Sequence, residues 1–144
     1  MVLIEQLWED AEFAPNDEQK EAIHYTDGPL YLPAGPGSGK TRVLLWRTLN
    51  LIVFHGIRPE EIFLSTFTEK AAFQLREGLR ALLGAITIKT NVHFDISNMY
   101  VGTVHSLCRR IVTDRRFSTE RMRRRVPLLI DKINQYLYLY KHIK

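Results

Sequence analysis

The chain has one cysteine, Cys108, so no intrachain disulfide can form. Its five histidines, His24, His55, His93, His105 and His142, are scattered, and none stands at the spacing of a zinc site. No Ser-His-Asp arrangement is spaced for nucleophilic catalysis. There is no internal repeat and no low-complexity tract. No secretory leader opens the chain, and no apolar run is long enough to cross a bilayer. These two absences favour a soluble, cytoplasmic protein with no membrane partner. Negative charge is scarce at one end only. Residues 101–144 carry eleven Lys or Arg against three Asp or Glu, net +8, whereas residues 1–100 carry nine against thirteen, net −4. A basic end beside an acidic body suggests a polyanion, and nucleic acid is the obvious one. The alternative is that these arginines face water or pair with the acidic part.

What is present is dominated by one loop, Ala34-Gly35-Pro36-Gly37-Ser38-Gly39-Lys40-Thr41. Its glycines let backbone N–H groups converge on phosphates, and the start of the following helix adds its positive end. Lys40 suits the terminal phosphates, and the Thr41 hydroxyl suits Mg²⁺. The first position is Ala34 where glycine is usual. With 144 residues, 45% of them hydrophobic, the chain can bury a core but is short for a complete nucleotide-driven motor.

The residues around the loop read as alternating strands and helices. Residues 2–13 suit a short helix or a leader packed on the domain. Asn16 is placed to cap a helix, with Gln19 three residues on, and Ala22 and Ile23 supply an apolar face. Residues 30–32 read as the first core strand, and 41–54 as a nearly all-round apolar helix buried against a sheet. Residues 62–67 read as the second strand. Thr68 then caps a helix that Gly84 stops, and residues 85–98 are mixed. Residues 100–103 read as a third strand, followed by a helix over 104–112. Such alternation predicts a parallel sheet, here a truncated three-layer α/β/α arrangement of the P-loop NTPase type, with a helical C-terminal segment. In that segment Tyr136, Tyr138 and Tyr140 suit either stacking on bases or a packed, partner-facing surface.

Three further stretches accompany the loop in order. They are Asn16-Asp17-Glu18-Gln19, Leu64-Ser65-Thr66-Phe67-Thr68-Glu69-Lys70-Ala71-Ala72, and Gly102-Thr103-Val104-His105-Ser106-Leu107-Cys108-Arg109-Arg110. Together they resemble the N-terminal core domain of UvrD/Rep-type superfamily 1 DNA helicases over roughly residues 13–112. The resemblance implies that Gln19 contacts adenine, and that the nucleotide site runs from Ala34 through Arg42. It implies that Lys40 and Thr41 are catalytic, with Thr41 the metal ligand. It also implies that Thr66, Phe67 and Thr68, with Thr103 and His105, face single-stranded or partly duplex DNA. Translocation is then 3′ to 5′, with ATP and Mg²⁺ as cofactors.

Two positions depart from the family's habit. Glu69 stands where Asn is common. A carboxylate near a phosphodiester is repelled, so Glu69 either turns away from DNA or weakens that contact. Val104 stands where Phe is common. The family's Asp-Glu pair, for Mg²⁺ and the attacking water, has no counterpart after the third motif, where Asp114, Glu120 and Asp131 are isolated. The arginines of a second motor domain are also missing. Residues 1–112 therefore read as a partial first motor domain, and 113–144 as the start of its helical insertion. The remaining helicase domains are absent from this chain, which by itself is expected to be inactive. Alternatives are a helicase-nuclease subunit of the recombination type and a nucleotide-binding module without motor activity. A small kinase is disfavoured by the motif order.

Overall fold

The computed structural model describes residues 3–113 and 132–142. They form two compact units, residues 1–103 and 104–144. The division falls ahead of the 112/113 boundary of the sequence reading.

The first unit opens with α1 (Ile4–Asp10), which buries Ile4, Leu7 and Trp8. The N-terminal stretch is thus a short packed helix. Helix α2 (Asp17–His24) starts at Asn16, whose Oδ1 accepts from Gln19 N at 2.8 Å, while Gln19 Oε1 accepts from Asn16 N at 3.1 Å. This reciprocal pair satisfies two N–H groups that the helix itself leaves unpaired. Helix α3 (Lys40–Val53) lies against α2 and α4. It inserts Val43, Trp46, Leu49 and Ile52 into the core at helical spacing. Trp46 stacks on Phe13, with centroids 5.6 Å apart and planes within 4°. Asn50 Nδ2 donates to Ile23 O at 3.0 Å and Arg47 Nη1 to Ala22 O at 2.6 Å. The polar groups of α3 thereby bond carbonyls that the end of α2 leaves unpaired and fix how the two helices pack.

A 3-10 turn (Pro59–Glu61) leads into β1 (Phe63–Thr66), and β2 (Tyr100–Thr103) runs parallel to it. The register pairs Phe63 with Tyr100 and Thr66 with Thr103. Between them runs α4 (Glu69–Thr90), capped by Thr68, whose Oγ1 accepts from Ala71 N at 3.2 Å. Arg76 Nη2 donates to Val101 O at 2.5 Å and ties α4 to β2.

Two local expectations are corrected. Gly84 does not stop α4, which continues to Thr90 and ends at Asn91 in the left-handed region, φ 55°. Leu83 and Ile86 are buried and extend the apolar face past the glycine. Thr87 and Thr90 donate their hydroxyls to the carbonyls of Leu83 and Ile86, both at 2.9 Å. Packing thus outweighs the cost of one exposed glycine, about 1 kcal/mol. The second correction concerns residues 30–32, which form no strand. The sheet among the described residues has two strands, β1 and β2. Leu30 and Leu32 are 42% and 41% exposed and Tyr31 88%, so the segment alternates like a strand but has no ladder partner. The main neighbours of α3 are accordingly helices, where a sheet was expected. The architecture is mixed α/β with a small parallel sheet.

In the second unit, α5 (Val104–Thr113) and α6 (Lys132–His142) are helical. On α6, Tyr136 and Tyr140 stand one turn apart and stack, with centroids 6.4 Å apart, and both are exposed. The arginines at 115–125, the acids Asp114, Glu120 and Asp131, and Leu128, Leu129 and Ile130 lie outside the described residues.

Candidate functional site

The loop at residues 34–39 ends directly in α3, with Gly39 as the N-cap in the left-handed region, φ 75°. Gly37 has φ 79°. Both angles cost an L side chain energy, which is why glycine stands at each. Gly39 is constrained twice, since an added Cβ would also lie 3.4 Å from Gln19 Nε2. The loop closes on itself through Ser38. Its N–H and hydroxyl both donate to Gly35 O, at 3.3 and 2.8 Å.

Lys40 Nζ donates to Ala34 O at 3.0 Å and to Gly35 O at 2.5 Å. Two of the three ammonium donors are therefore held by the first carbonyls of the loop. Gln19 Nε2 donates to Ser38 O at 3.1 Å, so α2 braces the loop from the other side. A cleft of about 130 Å³ is lined by Lys40 and Thr41, by Ser65 and Thr66 at the end of β1, and by Ala71 and Gln74 of α4. The carboxyl end of a parallel strand is where α/β proteins place ligands. Ser65 and Gln74 were missed in the sequence. The signal for Gln74 was its helical spacing from Ala71, on the same face of α4.

Arg42 takes a different place from the loop. Its Nη2 donates to Ala11 O at 2.9 Å and Glu12 O at 3.1 Å, and its guanidinium carbon lies 4.7 Å from the centroid of the Phe13 ring. It fastens the start of α3 to the N-terminal segment.

The strand ends bring a second group together. Thr66 and Thr103 are register partners, so their side chains share one edge of the sheet. Phe67 is 86% exposed beside them. Thr103 is buried, and its Oγ1 donates to Glu69 Oε1 at 3.2 Å. His105 is exposed near the start of α5, in the second unit. Cys108 is a free, exposed thiol.

The profile of the UvrD/REP helicase N-terminal domain matches residues 15–144. The chain belongs to that family. Among similar proteins is the ATP-dependent DNA helicase SRS2 of Saccharomyces cerevisiae, 39% identical over 108 residues, covering 74% of this chain and 9% of the relative. The ATP-dependent DNA helicase PcrA of Bacillus subtilis is 40% identical over 97 residues, 67% of this chain and 12% of the relative. A probable DNA helicase II homolog of Rickettsia conorii is 37% identical over 99 residues, 69% and 14%. The chain thus spans about a tenth of the length of these UvrD/REP relatives.

The loop fits the nucleotide that an ATP-dependent family implies. It has left-handed glycines at Gly37 and Gly39, an ammonium fixed by the loop at Lys40, and a cleft reaching Thr41. For a metal ion, no cluster of three or more His, Cys, Asp or Glu occurs among the described residues. In the cleft beside Lys40, Thr41 offers a neutral hydroxyl, a donor that would suit Mg²⁺ held mainly by phosphate oxygens and water. No described helix is long and apolar enough to cross a membrane.

Proposed function

We propose that this chain carries the ATP-binding and part of the DNA-binding surface of an ATP-dependent 3′–5′ DNA helicase, built on a P-loop core of three α/β/α layers. The observation that carries the reading is the cleft joining Lys40 and Thr41 to Ser65 and Thr66 at the end of β1. One end of this cleft suits phosphates, and the other opens on the strand ends that would meet DNA.

In this reading the peptides at Gly37 and Gly39 and the Lys40 ammonium take the β- and γ-phosphates. Thr41 provides a ligand to Mg²⁺, which when bound neutralises charge on the phosphates. Gln19 offers its amide to the base. Thr66, Phe67, Thr68, Thr103 and His105 meet single-stranded DNA, through hydroxyls to phosphate and a ring to bases. The stretch at 109–125 adds basic charge.

Hydrolysis needs an oriented water and stabilised charge on the transferred group. Lys40 and Thr41 supply charge and a metal ligand, but the sequence after Thr103 contains no Asp-Glu pair. The 144-residue chain should therefore bind ATP with Mg²⁺ and oligothymidine weakly, and release phosphate at background rate. The test is calorimetry with ATP, fluorescence anisotropy with labelled oligothymidine at two salt concentrations, and a phosphate-release assay with and without the oligonucleotide. DNA affinity should fall steeply with salt as counterions are released. ATP binding without any DNA binding would favour a nucleotide-binding module without motor function. Robust DNA-stimulated hydrolysis would overturn the assignment of missing carboxylates.

A further inference from the structure

We infer that Glu69 weakens the hold of the strand-end surface on nucleic acid, because its carboxylate accepts the hydroxyl proton of Thr103. This rests on the reading of Thr66 and Thr103 as DNA contacts. The geometry is local and asymmetric. Thr66 and Thr103 end adjacent parallel strands in register, about 4.8 Å apart. Thr103 is 6% exposed, so its hydroxyl has to be bonded. Its proton goes to Glu69 Oε1 at 3.2 Å, from a residue 34 positions away. Glu69 is itself exposed, and among the described residues its carboxylate has no cationic partner. Among the described residues, therefore, no side-chain cation neutralises its charge.

A phosphodiester that takes the Thr103 hydroxyl must first displace a group of its own charge. If the carboxylate stays within a few ångströms, repulsion through water costs about fivefold in affinity. If it swings out to solvent, the exposed side chain moves freely, but the Glu69–Thr103 bond is lost. Either way Glu69 opposes binding. Removing its charge should tighten binding and add about one phosphate contact, steepening the logarithmic salt slope by about 0.7.

The test compares Glu69→Gln, Glu69→Ala, Thr66→Ala, Thr103→Val and the Glu69→Ala/Thr103→Val double variant in the 144-residue chain. The readout is oligothymidine affinity across a salt series, with circular dichroism and ATP affinity as controls. Glu69→Gln keeps the size and the acceptor oxygen but not the charge, so it should bind DNA about fivefold tighter with ATP affinity unchanged. Thr103→Val should weaken binding and cancel the gain from Glu69→Ala. If Thr66→Ala weakens DNA binding while both Glu69 variants bind like the parent or worse, the inference is wrong and the DNA surface stands. If Thr66→Ala and Thr103→Val leave DNA binding unchanged, the surface itself is misassigned and the inference falls with it.

Discussion

The side-chain amide of Gln19 donates to the carbonyl of Ser38 at 3.1 Å, joining a helix cap to the middle of the phosphate loop. The other end of that amide accepts from Asn16 N and completes the cap of α2. One residue thus stabilises a helix start and braces a loop that begins fifteen positions downstream, at Ala34.

Separating these two roles is possible. Gln19→Glu retains an acceptor for Asn16 N but turns a carboxylate oxygen toward Ser38 O. Gln19→Ala loses both bonds and should cost about 1–2 kcal/mol of stability, within the range for a lost cap. Nucleotide affinity should fall in both variants, while the melting temperature falls more in the alanine variant. Thermal denaturation and calorimetry on the same samples check this. Equal melting with unchanged ATP affinity in both would remove the bracing role.

Lys40→Ala should weaken ATP binding by about tenfold to a hundredfold, the worth of a charge-assisted bond. Its contacts in the protein are to exposed carbonyls of its own loop, so the melting temperature should barely move. Calorimetry that finds unchanged affinity would sink the phosphate assignment.

Two glycine substitutions should act with opposite sign. Gly39→Ala places a side chain at φ 75° and 3.4 Å from Gln19 Nε2, so it should destabilise by about 1–2 kcal/mol and weaken ATP binding. Gly84→Ala sits in the interior of α4 with nothing within 4 Å of the added carbon. It should stabilise by about 1 kcal/mol. Urea denaturation of the two variants decides the matter, and a destabilised Gly84→Ala would show that the exposed face of α4 is not open.

Acid should loosen the entry to β1. The side-chain hydrogen bond from Arg58, then its backbone bond, holds the Glu61 carboxyl below its ordinary value of 4.5. Glu61 in turn raises Arg58. A carboxyl lowered in the folded state stabilises above its unfolded value and loses that contribution as pH falls through the folded one. Glu61→Gln should therefore lower the melting temperature slightly near neutrality, flatten its fall below about pH 4.5, and converge with the parent in acid. Indistinguishable pH profiles for parent and variant would mean the pair contributes nothing to stability.

Local chemistry was readable in order along the chain. Asn16 and Thr68 cap because their short side chains reach N–H groups three residues on, and Gly39 admits the left-handed turn that starts α3. Each depends on neighbours within one helical turn, so the residue types alone decide it. The strands at 63–66 and 100–103 were readable for the same reason, as short β-rich runs between turn signals.

Tertiary structure decided what depends on distant backbone. Residues 30–32 have a strand's composition, yet a strand exists through the ladder beside it, which no sequence run contains. Gly84 looks like a stop, yet α4 passes through it because Leu83 and Ile86 find a core to enter. The partners of Gln19 and Glu69 lie 19 and 34 residues away, and spacing along the chain carries no information about them. Sequence determined which groups this protein has for phosphate and for capping. Only the packing of α2 on α3, and the parallel register of β1 with β2, set them against Ser38 and Thr103, because both contacts close through space after the intervening chain has folded.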